Sequence, residues 1–186
     1  LGYYTYCEED FAAKAGLLRR VLPDEGVAVI KMDDARDAEM RAIAAGRGQE
    51  VITVGRGLGD LSLVGQRYDG TGQDIRFSWH DRPFMARLNL IGGFQAENVL
   101  MACGLVIASG EEPERVFETL HELTTVRGRM QLAATRENGA SVFVDYAHTP
   151  DAVATAIKAL RPHVLGRTVA IVRPPRPRAP GQRPLL

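Results

Sequence analysis

"SVFVDYAHTPDAVATAIKAL" occupies residues 141–160. Its first half alternates as a strand does and ends in an acid and an imidazole, Asp145 and His148. Its second half opens with Thr149-Pro150-Asp151 and then carries apolar residues at helical spacing. Thr149 suits the N-cap, Pro150 the first helical position, and Asp151 the positive end of the helix. Ala152, Val153, Ala156, Ile157 and Leu160 make the stripe such a helix buries. The stretch therefore reads as strand, turn, helix, with Asp145 and His148 at the carboxyl end of the strand. In open α/β sheets that is where ligands bind. An Asp so placed can accept both hydroxyls of a ribose, each charge-assisted bond contributing about 1.5–3 kcal/mol. The same spacing also suits Asp145 as a turn cap and His148 as a packing residue.

Working outward, the chain alternates strand and helix before it. Glu8 to Val21 predicts a helix with acids in its first turn, stopped by Pro23 and Gly26. "VAVIKM" (27–32) reads as a buried strand, "ARDAEMRAIAAG" (35–46) as a helix, and "EVITVG" (50–55) as a second strand, the β-α-β pattern of a parallel sheet. Over 61–90 the texture becomes alternating segments joined by short turns, an antiparallel meander. Gly92-Gly93 opens a long helix to about residue 109, and 113–123 is another. Strands at 129–136 and 141–146 flank an Asn138-Gly139 hairpin turn, and a strand at 168–172 follows the helix at 150–161. A domain boundary falls near residue 126. The fold class is α/β.

Composition narrows the function. Lys+Arg and Asp+Glu are both 23 in 186 residues, so net charge gives no pull toward nucleic acid or anionic membrane. The longest apolar run, 99–108, is half of what a membrane span needs. Cys7 and Cys103 lie far apart without metal or redox spacing, which suits a reducing cytoplasm. No signal-like segment opens the chain and no initiating Met is present, so a fragment is expected. The end, "VRPPRPRAPGQRPLL" (172–186), has a composition that excludes helix and central strand. It reads as a disordered or polyproline II tail, or as a Pro-Arg interaction segment.

Four stretches, in order, carry a resemblance. "VDYAHTPDA" (144–152) resembles the C-terminal-domain signature of the Mur ligase family, in its tripeptide-forming branch. "EEDFAAKAGLL" (8–18) resembles the segment bearing the family's modified lysine. "GGFQAENVLMA" (92–102) resembles its "G-x-F-N-x-x-N-x-L-A-A", and "VRGRMQ" (126–131) its "V-x-G-R-M-E". The similarity covers roughly 1–172.

The resemblance implies an ATP-dependent, magnesium-assisted ligase of peptidoglycan synthesis, and so of cell-wall biogenesis, shape and division. Such an enzyme joins a third amino acid, diaminopimelate or lysine, to a UDP-N-acetylmuramoyl dipeptide through an acyl phosphate. It implies a cytoplasmic monomer without nucleic-acid or membrane partners. The architecture implied is the second half of a central ATPase domain (1–126), the start of a truncated Rossmann-like C-terminal domain (127–172) and the Pro/Arg-rich tail (173–186). Lys14 matches the catalytic lysine whose carbamate supports magnesium, a metal that prefers hard oxygens. Asn98 matches the residue that hydrogen-bonds adenine, for which an amide supplies both donor and acceptor, and Gln95 replaces the motif's first Asn. Arg129 matches an interdomain arginine that meets phosphates or ribose, Asp145 the ribose-binding acid, and His148 the nucleotide side of the cleft. Asp33-Asp34 matches "N-A-D-D" at a strand end, with a structural role in the turn.

The chain also departs from the pattern. The phosphate loop "G-x-x-G-K-[ST]" and the UDP-sugar-binding domain are absent, and "LGYYTY" (1–6) stands where "L-D-Y-H-G-D" is expected. "RPPRPRAPGQRPLL" (173–186) replaces "G-C-G-G-D-R-D-x-G-K-R-P-L-M", and its last letters drift back toward that motif, as a shifted reading frame over 173–180 would produce. The expectation is a chain inactive in ligation by itself. Two other readings stay open: a sister ligase of folylpolyglutamate or poly-amino-acid type, and a non-catalytic nucleotide-binding remnant.

Overall fold

The computed structural model describes residues 2–32 and 36–172, with 2–7 as backbone. The expectations for Asp33-Asp34 and for the 173–186 tail lie outside the described residues. Helix α1 (Gly2–Gly16) runs into a π-helical turn (Leu17–Val21). There follow β1 (Val27–Lys31), α2 (Asp37–Gly46), β2 (Glu50–Arg56), β3 (Leu61–Asp69), β4 (Gly72–Trp79) and β5 (Arg82–Leu88). Next come α3 (Phe94–Ala108), α4 (Pro113–Glu118), β6 (Gln131–Thr135), β7 (Ser141–Val144) and α5 (Pro150–Leu160). Among the described residues no helix is long and apolar enough to cross a membrane.

Five strands form one mixed sheet in the order β1-β2-β3-β4-β5, and β6-β7 form a separate antiparallel pair. β1 and β2 are parallel, Ala28 opposite Val51 and Ile30 opposite Thr53, with α2 as their crossover. β2 and β3 are also parallel, Val54 opposite Leu61, although only residues 57–60 join them. A parallel connection normally needs a dozen residues. Here the chain sidesteps: Gly57 and Gly59 take φ of +71° and +95°, and a Cβ at Gly59 would stand 2.9 Å from the Thr53 carbonyl oxygen. Asp60 locks the step by accepting from the Thr53 amide at 2.8 Å and its hydroxyl at 2.6 Å. Burial raises the Asp60 carboxyl pKa, but these bonds and His80 bring it below the ordinary value. The expected meander follows: Gly70-Thr71 joins β3 to β4, and His80-Asp81, at φ 44° and 65°, make the mirror-image turn that joins β4 to β5.

By backbone proximity the chain divides into two compact units. The first comprises Leu1–Gly65, Arg76–Met85 and Glu97–Glu118. Its core includes Ala28, Ile30 and Ala44, with Leu18, Leu22, Met40 and Val51 packed on them. A second cluster is aromatic: Phe77 stacks on Phe84 at 5.6 Å, and Phe117 meets both edge-on. α3 comes so close to the sheet that a Cβ on Gly104 would lie 2.8 Å from a Val29 methyl. The π-helical turn leaves carbonyls without helical partners, and Arg47 and Gln49 both donate to Leu18 O and Leu22 O. The second unit comprises Gln66–Ile75, Ala86–Ala96 and Thr119–Leu186. In it the Asn138-Gly139 turn closes β6 on β7, Asn138 accepting from the Ala140 amide at 3.1 Å.

Three local expectations change. The first helix begins at Gly2, not Glu8, so its acids lie mid-helix, and Asp10 pairs with Lys14 one turn on instead of serving the helix terminus. The alternating segment at 168–172 is not a strand, because among the described residues no neighbour pairs with it; Val169 and Ile171 stay exposed. The α5 stripe is only half-buried, and Ile157 is exposed.

Candidate functional site

The turn after β7 is built as its residues predict. Thr149 caps α5, its hydroxyl accepting from the Ala152 amide at 3.3 Å, and Pro150 begins the helix. Asp145 follows the end of β7, half-buried. One carboxylate oxygen accepts from the Met130 amide at 2.9 Å, the other from the Ala147 amide at 2.8 Å. The Tyr146 amide donates to Gly128 O at 2.8 Å, and the Gly128 amide donates to the Gln131 side chain at 3.0 Å. The segment around Arg129 and the segment around Asp145 are thus one hydrogen-bonded unit. A carboxylate offers about four acceptor sites, so two backbone bonds leave Asp145 capacity for a further donor pair.

Tyr146, which the sequence reading passed over, is the hub of this unit. It is exposed, the Arg129 guanidinium lies 5.9 Å from its ring centroid, and the His148 ring meets it edge-on at 5.3 Å. His148 Nδ1 lies 3.1 Å from Tyr146 O. Arg129, Asp145 and His148 therefore share one cluster around Tyr146. An aromatic flanked by Arg and His beside an acid suits a flat ring with hydroxyls or phosphates.

Gln95 and Asn98 lie in the first turns of α3. Gln95 is half-buried, its backbone N–H donating to Gly92 O at 3.0 Å, and Asn98 is exposed. Beside Asn98, Glu97 is held between Lys31 at 2.9 Å and Arg56 at 2.7 Å. Burial raises the Glu97 carboxyl pKa, but the two cations bring it below its ordinary value. The Lys31–Glu97–Arg56 group sits where β1 and β2 end, and it fixes one face of the early helix. Lys14 is exposed near the end of α1, its ammonium 2.7 Å from Asp10. Among the described residues no group of three or more His, Cys, Asp or Glu is placed to hold a metal.

The segment leading into α3 is held from inside, and the sequence reading missed this too. Gln73, fully buried, donates to Gly92 O at 2.9 Å and Leu90 O at 3.2 Å. Gln66 donates to Gln73 and to Gly93 O, both at 2.8 Å. The signal was a glutamine at a position of β4 that the strand buries, in "GQDIRFSW".

Two family models match the chain. The Mur ligase middle domain matches residues 1–106, and the Mur ligase glutamate ligase domain matches 128–184. The UDP-N-acetylmuramoyl-L-alanyl-D-glutamate–2,6-diaminopimelate ligase of Zymomonas mobilis is 39% identical over 184 residues, 99% of this chain and 38% of that protein. A solved UDP-N-acetylmuramoyl-L-alanyl-D-glutamate–2,6-diaminopimelate ligase superposes with a TM-score of 0.68 at 28% identity, over 82% of this chain and 31% of that one. The MurF ligase of Thermotoga maritima, solved with ADP, does so at 0.58 and 26%, over 74% and 31%. The chain spans less than two fifths of the length of the relatives it matches.

Proposed function

The chain belongs to the Mur ligase family, and from that premise we propose that it is the nucleotide-handling portion of a ligase adding diaminopimelate to UDP-N-acetylmuramoyl-L-alanyl-D-glutamate. In the reaction proposed, the γ-phosphoryl group of ATP passes to the dipeptide carboxylate, and the amine of the amino acid displaces phosphate to form the amide. Phosphoryl transfer asks the protein mainly for positioning and charge neutralisation. This chain's residues divide that work. Asn98 takes the adenine edge, with Gln95 beside it in the same helix. Asp145 accepts the ribose hydroxyls, Arg129 meets phosphate or ribose, and His148 borders the nucleotide. Residues 1–126 form the later part of the middle domain and 127–172 the beginning of the C-terminal domain. The protein works as a cytoplasmic monomer without nucleic-acid or membrane partners.

The observation that carries the proposal is the placement of Asp145. It follows β7 and precedes the Thr149-capped helix, its carboxylate oriented by two backbone amides with acceptor sites to spare. Magnesium fits the donor set in one way. It binds proteins through one or two carboxylate-type oxygens, completing its shell with phosphates and water. A carbamate on exposed Lys14 supplies one such oxygen, and no larger protein cage is needed. When bound, the metal would neutralise phosphate charge.

A graft tests the assignment. Residues 1–172 replace the matching segment of the Zymomonas mobilis ligase, and phosphate release is followed with the UDP-sugar dipeptide and ATP. Release that depends on diaminopimelate and not on lysine is expected. A folded chimera that releases none with either amino acid refutes the proposal.

A further inference from the structure

His163 ends the short 3₁₀ turn Arg161–His163 after α5 and is buried. Both ring nitrogens are engaged. The Gly92 amide donates to Nε2 at 3.0 Å, so Nε2 carries a lone pair. Nδ1 must then hold the proton, and it lies 2.7 Å from Asp69 O, a carbonyl that can only accept. The ring also meets Tyr68 edge-on at 5.0 Å. Beside it Arg161 ties the following turn, donating to Val164 O at 3.2 Å and to Gly166 O at 2.7 Å.

The Gly92 amide is therefore held by a side chain 71 residues away, while the Gly92 carbonyl is taken by the buried Gln73 amide. Gly92 lies at φ +105°, a conformation that L side chains rarely adopt. Two residues later α3 begins, and its second and fifth residues are Gln95 and Asn98. Held at both its N–H and its C=O, Gly92 has one orientation, and the first turn of α3 inherits its direction. A hydrophobic side chain of the same size would fill the space but leave the Gly92 amide buried and unpaired.

We propose that His163 is a positioning residue for nucleotide binding. As the Nδ1–H tautomer it latches Gly92 and so aims the turn of α3 that presents Gln95 and Asn98. This rests on the nucleotide reading of those two residues.

The test uses the ¹⁵N-labelled 186-residue chain and two variants. His163→Phe keeps a ring against Tyr68 but has no nitrogen; His163→Gln keeps an acceptor for the Gly92 amide. Imidazole ¹⁵N spectra of the unmutated chain should show the Nδ1–H tautomer. Gly92 amide exchange should quicken roughly tenfold in His163→Phe, the loss of one buried hydrogen bond, and ADP affinity should fall about as much. His163→Gln should restore most of both. An Nε2–H tautomer in the unmutated chain overturns the proposal without any variant. So does ADP binding by folded His163→Phe at the unmutated affinity. If the unmutated chain binds no ADP, the nucleotide reading fails and the proposed role fails with it, whereas the latch is still decided by the tautomer and by Gly92 exchange.

Discussion

Asp145 reaches back to Met130: its carboxylate accepts the Met130 amide at 2.9 Å, at a residue held at φ 48° and almost fully buried. A non-glycine residue in that region costs on the order of 1 kcal/mol, and it persists where the surroundings hold it. The acid that the family resemblance assigns to ribose thus also organises the loop bearing Arg129. Asp145→Ala should remove both effects. Urea unfolding of the ligand-free chain should show a loss of about 1–3 kcal/mol for Asp145→Ala, and a smaller loss for Asp145→Asn, which keeps one acceptor. Unchanged unfolding in both would mean that the Met130 contact contributes nothing.

Gln73 should be more sensitive than any exposed polar residue. Gln73→Leu removes the side-chain donor from the Leu90 carbonyl and one of two donors from the Gly92 carbonyl, at a buried site. A loss of about 2–3 kcal/mol in urea unfolding is expected. Gln73→Glu should cost more, because it sets carboxylate oxygens against those carbonyls. Equal stability of all three chains would show that the buried amide is dispensable.

Two glycines rank by what their missing Cβ would meet. At Gly72 it would lie 2.2 Å from the backbone oxygen of Leu88, which cannot step aside. At Gly104 it would lie 2.8 Å from a Val29 methyl, which can turn. Gly72→Ala should therefore lower the melting temperature further than Gly104→Ala, whose overpacking should cost about 1–3 kcal/mol. Melting curves in the reverse order would contradict the packing described.

The Asp69–Arg87 pair gives the chain a pH signature. Arg87 donates to Asp69 at 2.5 and 2.9 Å, and Thr71 donates through both amide and hydroxyl. Arg87 first and then Thr71 hold the Asp69 carboxyl well below the ordinary carboxylate range. A carboxyl depressed in the folded state contributes fully above its unfolded value, about 3.9, and loses that contribution as the pH falls through the folded one. Stability should drop as the pH falls below about 4, and Asp69→Asn should show a shallower drop. The pair is exposed, so the difference should be small and should shrink in salt. Parallel acid-unfolding curves for the two chains would remove Asp69 from the account.

Much of the fold was legible locally. Thr149, Pro150 and Asp151 mark a helix start by capping chemistry, and Asn138-Gly139 marks a hairpin by backbone preference; both act within a few residues. The strand at 168–172 was misread because alternation encodes extension, whereas a strand also needs a neighbour. The start of α1 was misread because the acids at 8–10 suit a helix terminus and also suit a mid-helix pair such as Asp10–Lys14. The burial of Gln73 is signalled by its place on the apolar face of β4, but its partners, like those of His163, are not. The roles of both side chains depend on residues 90–93, which lie far away in sequence. No local pattern distinguishes a latch of that kind from an ordinary polar side chain.

Binding of an adenine nucleotide at Asp145 and Arg129 is what the proposed function first requires. Titration calorimetry with magnesium and ADP on the 186-residue chain tests it directly. One-site binding is expected, weakened about tenfold by Asp145→Ala and by Arg129→Ala, the loss of a hydrogen-bonded contact. Absence of binding, or binding that neither substitution changes, would contradict it.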